Sequence, residues 1–138
     1  MTSTTEVRIL IADDNPFVRT GLRLLLGQRP DWSVCGEASN GREAVKKAVE
    51  LKPHVILLDI WMPTMDGLTA AEQIRHKVPE SEILILTLCE SLDMARYAAQ
   101  TGVRAYISKA NVTSDLEAAI DAAAKHQSVQ SAQKPLDN

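Results

Sequence analysis

Several apolar runs of this sequence end in side chains able to do chemistry. Asp13 and Asp14 follow Val7–Ala12, and Asp59 follows Val55–Leu58. Thr87 follows Ile83–Leu86, and Ser108-Lys109 follow Val103–Ile107. If those runs are neighbouring parallel strands, three carboxylates meet on one edge with a hydroxyl and an amine beside them. Two carboxylates ~4 Å apart repel by roughly 4 kcal/mol at an effective dielectric near 20, so a proton or a cation must compensate. An all-oxygen donor set without His or Cys favours a hard divalent ion, and a shell that keeps waters favours Mg²⁺. Such an ion can also take a phosphoryl oxygen. Lys109 offers a point charge for a second oxygen, and Thr87 a neutral donor for a third. The first turn reads Asp13-Asp14-Asn15-Pro16, so neither a dinucleotide fingerprint nor a P-loop is present. The phosphate therefore does not arrive as a bound nucleotide. A carboxylate can itself be the nucleophile, and Asp59, between the acid pair and the Thr/Lys side, is the candidate for an aspartyl phosphate.

The elements that must position these residues alternate in kind. Val7–Ala12, Val55–Leu58 and Ile83–Leu86 are near-continuous apolar runs of strand length, as a sheet covered on both faces requires. Trp32–Ala38 and Val103–Ile107 read as weaker strands nearer the edges. Between them the period turns helical. Val18, Leu22, Leu25 and Leu26 form one face behind an Asn15 cap and Pro16. A second helix spans Gly41–Leu51, with Asn40 and Glu43 spaced as a capping box and Pro53 beyond its end. A third follows Asp66-Gly67 and presents Leu68, Ala71 and Ile74. A fourth covers Ser91–Thr101 up to Gly102, and a fifth covers Ser114–His126 with Leu116, Ala119, Ile120 and Ala123 inward. The pattern predicts a single α/β domain, a (βα)5 doubly wound parallel sheet with the flavodoxin-like order 2-1-3-4-5. Residues 1–6 are expected to be a disordered N-terminus, 7–127 the domain, and 128–138 a flexible tail or linker.

Composition narrows the function classes. The chain has 138 residues, and its 45 % hydrophobic and 24 % charged content is that of a globular domain rather than a disordered chain. A net charge of −3 argues against a broad nucleic-acid-binding face. No run approaches the ~20 apolar residues of a membrane span, and residues 1–6 do not look like a secretory signal. Cys35 and Cys89 lack metal-ligand or disulfide spacing, which makes the cytoplasm the default compartment.

The pieces Ile11-Ala12-Asp13-Asp14-Asn15, Leu57-Leu58-Asp59-Ile60-Trp61-Met62-Pro63-Thr64-Met65-Asp66-Gly67, Thr87 and Tyr106-Ile107-Ser108-Lys109-Ala110 stand in this order, each at a strand end. In this the chain resembles the receiver domain of two-component response regulators over nearly its whole length. Gly21–Leu26, Gly36–Ala44 and Lys109-Ala110 look closest to the subfamily that usually carries a LuxR-type helix-turn-helix output domain. The resemblance implies that Asp59 accepts a phosphoryl group from a histidine kinase. It implies Mg²⁺ held directly by Asp14, Asp59 and the backbone carbonyl of Trp61, with Asp13 acting largely through water. Thr87 and Lys109 would contact the phosphoryl group, and Thr87 with Tyr106 would form the switch that alters the surface of the fourth helix, fifth strand and fifth helix. The implied partners are a histidine kinase, an output domain or partner protein, and a second copy in a homodimer, without nucleic acid or membrane contact by this chain. A stand-alone receiver, acting as an interaction switch or a phosphotransfer shuttle, is the alternative to a transcription-linked one.

Other readings of the same residues are weaker. Asp13-Asp14 could be a solvated helix cap, but Asn15 is the better cap. A phosphatase with an aspartyl nucleophile needs a second Asp two residues on, where this chain has Trp61, so turnover of external substrates is not expected. Asp66 reads as a cap only, and His54, His76 and His126 receive no chemistry. Bulky Trp61 and Leu88, with Cys89, predict slow self-hydrolysis of any phosphoryl group on Asp59.

Overall fold

The apolar runs assemble into one five-stranded parallel sheet of order β2-β1-β3-β4-β5. The computed structural model describes residues 6–87, 96 and 100–129. The strands are β1 (Val7–Ala12), β2 (Trp32–Ala38), β3 (Val55–Asp59), β4 (Glu82–Thr87) and β5 (Ala105–Ser108). The helices are α1 (Pro16–Leu26), α2 (Gly41–Leu51), α3 (Gly67–Lys77) and a C-terminal helix (Val112–Val129) preceded by a 3₁₀ turn at Lys109–Asn111. The expected fourth helix lies mostly outside the described residues, as do Leu88 and Cys89. Within its range Arg96 and Gln100 are helical, and Gly102 follows with φ 83°.

Alternation along the strands sorts the core into two layers. Leu10, Ala12, Ile56, Leu58, Ile83 and Ile85 pack with α2 and α3, and Ile9, Ile11, Val55, Leu57, Leu84 and Leu86 pack with α1 and the C-terminal helix. Every residue of β3 and β4 is buried, which explains why those runs are apolar without a period of two.

The caps match the local sequence. The Asn15 Oδ1 accepts from Phe17 N–H at 2.8 Å, and the Asp66 Oδ1 from Thr69 N–H at 2.9 Å. Asn40 Oδ1 accepts from Glu43 N–H at 2.8 Å, but the Glu43 carboxylate reaches back to the N–H of Ser39, at 2.8 Å, rather than to that of Asn40. The capping box is thus displaced by one residue.

β5 begins at Ala105 rather than Val103. Val103 is buried ahead of the strand, in the layer of α2 and α3, and Arg104 N–H donates to Ile83 O at 2.7 Å. The C-terminal helix starts earlier than Ser114 and continues through Val129, beyond the point where the sequence loses its helical period. His54 is a structural residue. Its Nδ1 accepts from Arg8 N–H at 2.8 Å, and burial lowers its pKa, which keeps the ring neutral for that role.

Candidate functional site

Asp59 is the last residue of β3, and Asp13 and Lys109 directly follow β1 and β5, on the side-chain parity of Leu57, Ile11 and Ile107. The sheet order makes β1 and β3 neighbours, so the three side chains rise from one face of one edge. Lys109 Nζ lies 2.6 Å from Asp13 Oδ2 and 3.2 Å from Asp59 Oδ1, although the two partners are far apart in the chain. Asp13 is 2 % exposed and Asp59 5 %. Asp14 turns outward to solvent, yet carboxylate oxygens of Asp13, Asp14 and Asp59 lie within 4.8 Å of one another.

One ammonium group does not balance three carboxylates. Burial, and then the charge of Asp13, push the Asp59 carboxyl up to about 6, against the pull of Lys109. The two acids beside Lys109 raise its pKa despite its own burial. Both Asp13 oxygens are engaged, Oδ1 by Asn15 N–H at 2.9 Å and Oδ2 by Lys109, whereas no ion pair among the described residues uses Asp14. The donor set is all oxygen, carries net negative charge and opens to solvent on the Asp14 side. That suits a hard divalent cation that keeps part of its water.

Thr87 ends β4 one step past Leu86, the register partner of Asp59, and is fully buried. Tyr106 is half-buried, pairs in register with Ile85, and packs in the layer of α2 and α3. By strand parity Thr87 and Tyr106 belong to one sheet face and Asp59 to the other, with Thr87 at the shared edge. The Trp61 side chain is 57 % exposed, between buried Ile60 and Met62. Asp13, Asp14, Asp59 and Lys109 are thus gathered at one edge. Thr87 is brought to the same edge, while Tyr106 lies in the layer of α2 and α3 and the Trp61 side chain, two residues after Asp59, is exposed to solvent.

A family model, "Response regulator receiver domain", matches residues 9–121. The chain belongs to the receiver-domain family of two-component response regulators. It is 40 % identical to the transcriptional regulatory protein LiaR of Bacillus subtilis over 86 % of this chain and 56 % of that protein. It is 37 % identical to the response regulator VraR of Staphylococcus aureus over 89 % of this chain and 59 % of that protein. The receiver therefore spans a little over half the length of these curated relatives. Among solved structures, a LuxR-family response regulator from Aurantimonas superposes with a TM-score of 0.83 at 32 % identity, covering 87 % of this chain and 86 % of that one. The response regulator domain of Thermotoga maritima CheB gives 0.82 at 32 % identity, covering 87 % and 97 %. Receivers are signalling domains that bind Mg²⁺ at an acidic pocket, and Asp13, Asp14 and Asp59 form an acidic cluster here.

Motif reading missed the residues that build this receiver's scaffold. A Cβ on Gly67 would collide with the backbone carbonyl of Asp59, and Gly67 N–H donates to Ile60 O at 2.7 Å. A Cβ on Gly41 would strike the carbonyl of Met65. These glycines let α3 and α2 close on the loop that carries Asp59 and Trp61. Arg19 supports the other side of the site, donating from Nη1 to Asp13 O at 2.7 Å and from Nε to Glu37 Oε1 at 2.9 Å. The Asp13 contact spans six residues, from α1 back to the end of β1, and no helix or strand period marks it.

Proposed function

We propose that this receiver takes a phosphoryl group on Asp59 from the phosphohistidine of a histidine kinase and passes the change to an output, transcription being the one its relatives favour. The observation that carries the reading is a buried Asp59 carboxyl raised to about 6, with Asp13 and Lys109 against it at the carboxyl edge of the sheet. Near pH 7 that group is ionised, yet more basic than an ordinary carboxylate, as a nucleophile should be. In the step, an Asp59 oxygen forms a bond to phosphorus as the P–N bond breaks. The bonding pair returns to the imidazole ring of the kinase. Asp14 and Asp59, the Trp61 carbonyl, and Asp13 through water would hold Mg²⁺, which when bound neutralises the acids and fixes a phosphoryl oxygen. Lys109 and Thr87 donate to the remaining oxygens.

The phosphoryl group adds charge and acceptors beside Thr87. Moving a two-state equilibrium from 1:99 to 99:1 needs about 5.5 kcal/mol, within reach of a few charge-assisted hydrogen bonds at roughly 1.5–3 kcal/mol each. Thr87, at the end of β4, and Tyr106, on the same sheet face in neighbouring β5, relay the shift to the face around β5 and the C-terminal helix. Bulky Trp61 beside the site keeps self-hydrolysis slow. The receiver spans 7–127 and works in the cytoplasm, with its kinase, an output domain or partner protein, and a second copy as partners. Among the described residues no helix is long and apolar enough to cross a membrane.

The test is mass spectrometry after incubation with acetyl phosphate and MgCl₂. One phosphoryl group on the wild type and none on Asp59→Asn supports the reading. Equal uptake by both removes Asp59 as the acceptor.

A further inference from the structure

We propose that Arg19, held by Glu37, is a positioning residue for the acid pair, fixing the turn that sends Asp13 inward and Asp14 outward. This rests on the phosphoacceptor reading and concerns how its acidic pocket is set.

Asp13 and Asp14 are adjacent, yet one is buried against Lys109 and the other is exposed. A chain leaving a strand can twist freely, so something must fix the peptide between them. Asp13 N–H donates to Ala38 O at 3.0 Å, which continues the sheet by one more bond. Its carbonyl, the first atom pair of the Asp13–Asp14 peptide, accepts from Arg19 Nη1 at 2.7 Å. The same guanidinium donates through Nε to Glu37 Oε1 at 2.9 Å, and its side chain is 19 % exposed. A planar fork with two fixed donors transfers orientation from Glu37 to that peptide; a lysine ammonium could not.

Glu37 is placed for this by a defect in the sheet. The β1–β2 register runs Ile9 to Val34 and then Leu10 to Gly36, so Cys35 is an extra residue. Val34 packs with the layer of α1. Unbroken alternation would put Gly36 on that side and Glu37 on the side of α2. The bulge reverses the parity, so Glu37 pairs with Ile11 and meets α1 instead. Bulges beside functional sites commonly re-aim a side chain in this way. Arg23 Nε holds the second Glu37 oxygen at 2.6 Å, and Lys47 Nζ holds its carbonyl at 2.5 Å. Glu37 is therefore held by two side chains, in addition to its pairing with β1, before it reaches Arg19.

Outer groups that orient metal-binding carboxylates commonly change affinity by roughly 10–100-fold when removed. The experiment titrates the full chain with MgCl₂, following the Asp14 and Asn15 amide resonances, and measures the urea midpoint of each variant separately. Arg19→Gln and Arg19→Lys are expected to weaken Mg²⁺ roughly 10-fold. Arg23→Gln, which removes the more exposed ion pair to Glu37 and does not touch Asp13, is expected to stay within about twofold, since Arg19 and Lys47 still hold Glu37. Variants of Arg19 that bind Mg²⁺ as the wild type does, while only their urea midpoints fall, overturn the inference and leave the phosphoacceptor reading standing. A wild-type chain that shows no Mg²⁺ response overturns both.

Discussion

Two clusters among the described residues have the same inventory, three carboxylates and one strong base, and only one of them is the candidate site. At the far end of β2, Arg29 meets Asp31 at 2.9 Å, Glu117 at 2.7 Å and Asp121 at 3.0 Å, and its guanidinium lies 4.1 Å over the Trp32 ring. At the carboxyl edge, Lys109 meets Asp13 and Asp59, and Asp14 has no cation among the described ion pairs. The guanidinium has five donors and serves all three acids, and those acids are open to water. Their attraction holds the Asp31 carboxyl below its usual range. The ammonium serves two acids that are almost fully buried, and Asp59 moves the other way, up to about 6. Charge count does not distinguish the clusters. Burial and the shortage of donors do, because they leave a negative site that a cation or a transferred group can satisfy.

The largest test of that contrast is to neutralise one acid in each cluster. Asp14→Asn should slow phosphoryl uptake from acetyl phosphate by at least ~100-fold at limiting Mg²⁺, since a direct ligand should cost more than the outer groups that orient it. Asp121→Asn should leave the rate unchanged. A mass-spectrometric time course reads both, and equal rates would dissolve the distinction. Next in size is removal of the bases. Lys109→Ala leaves Asp13 and Asp59 facing each other without a cation. Urea unfolding should show a loss of about 3 kcal/mol in metal-free buffer, at the low end for a broken buried pair because Asp59 can take a proton. Arg29→Gln, on an exposed network, should lose far less.

How much of this is legible in the sequence follows from which interactions are local. Asp13, Asp59 and Lys109 could be found because each terminates an apolar run, and a doubly wound sheet sends such ends to one edge. Asn15 and Asp66 declared the helix starts through bonds spanning two or three residues, and Pro16 through its fixed φ at the first helical position. The bulge at Cys35 could not be read, because Trp32–Ala38 has too little alternation to reveal a parity change, and a bulge exists only relative to the partner strand. Gly67 and Gly41 look like ordinary helix-start glycines until the carbonyls of Asp59 and Met65 are seen against them. Val103 resembled a strand residue because burial, rather than pairing, selected it. The relative engagement of Asp13 and Asp14 likewise depends on Lys109, 96 residues on, and on the fold of α1 that carries Arg19 back to the Asp13 carbonyl.

A pH titration sharpens the electrostatic side of the comparison. The Asp59 carboxyl titrates near 6 when folded and near 3.8 when unfolded, so between those values the folded chain binds more protons. Stability therefore falls as pH rises through that window, and the loss is complete above the folded value. Asp59→Asn has no charge to bury. In metal-free buffer at pH 8 it should be more stable than the wild type by roughly 1–2 kcal/mol, less than the full shift implies because the edge opens to water. Below pH 4 the difference should vanish. Glu37 has the opposite sign. Arg23 and Arg19 hold its carboxyl low, so its contribution is present above about 4.5 and is lost as pH falls through the depressed folded value. Unfolding curves of Asp59→Asn and Glu37→Gln against pH should therefore both converge on the wild type in acid and depart from it at higher pH in opposite directions, Asp59→Asn upward and Glu37→Gln downward.

Salt provides the smallest effect and the finest discrimination. At ~1 M ionic strength the screening length is about 3 Å, which weakens exposed pairs and leaves buried ones nearly intact. Asp121→Asn should cost a few tenths of a kcal/mol at low salt and nothing measurable in 1 M NaCl. The penalty of Lys109→Ala should persist under both conditions, because Lys109 is 14 % exposed and its partners less. A Lys109 penalty that disappeared with salt would mean that water already screens Asp13 from Asp59. The raised Asp59 value would then need another cause, and the carboxyl edge would differ from the Arg29 cluster in degree rather than in kind.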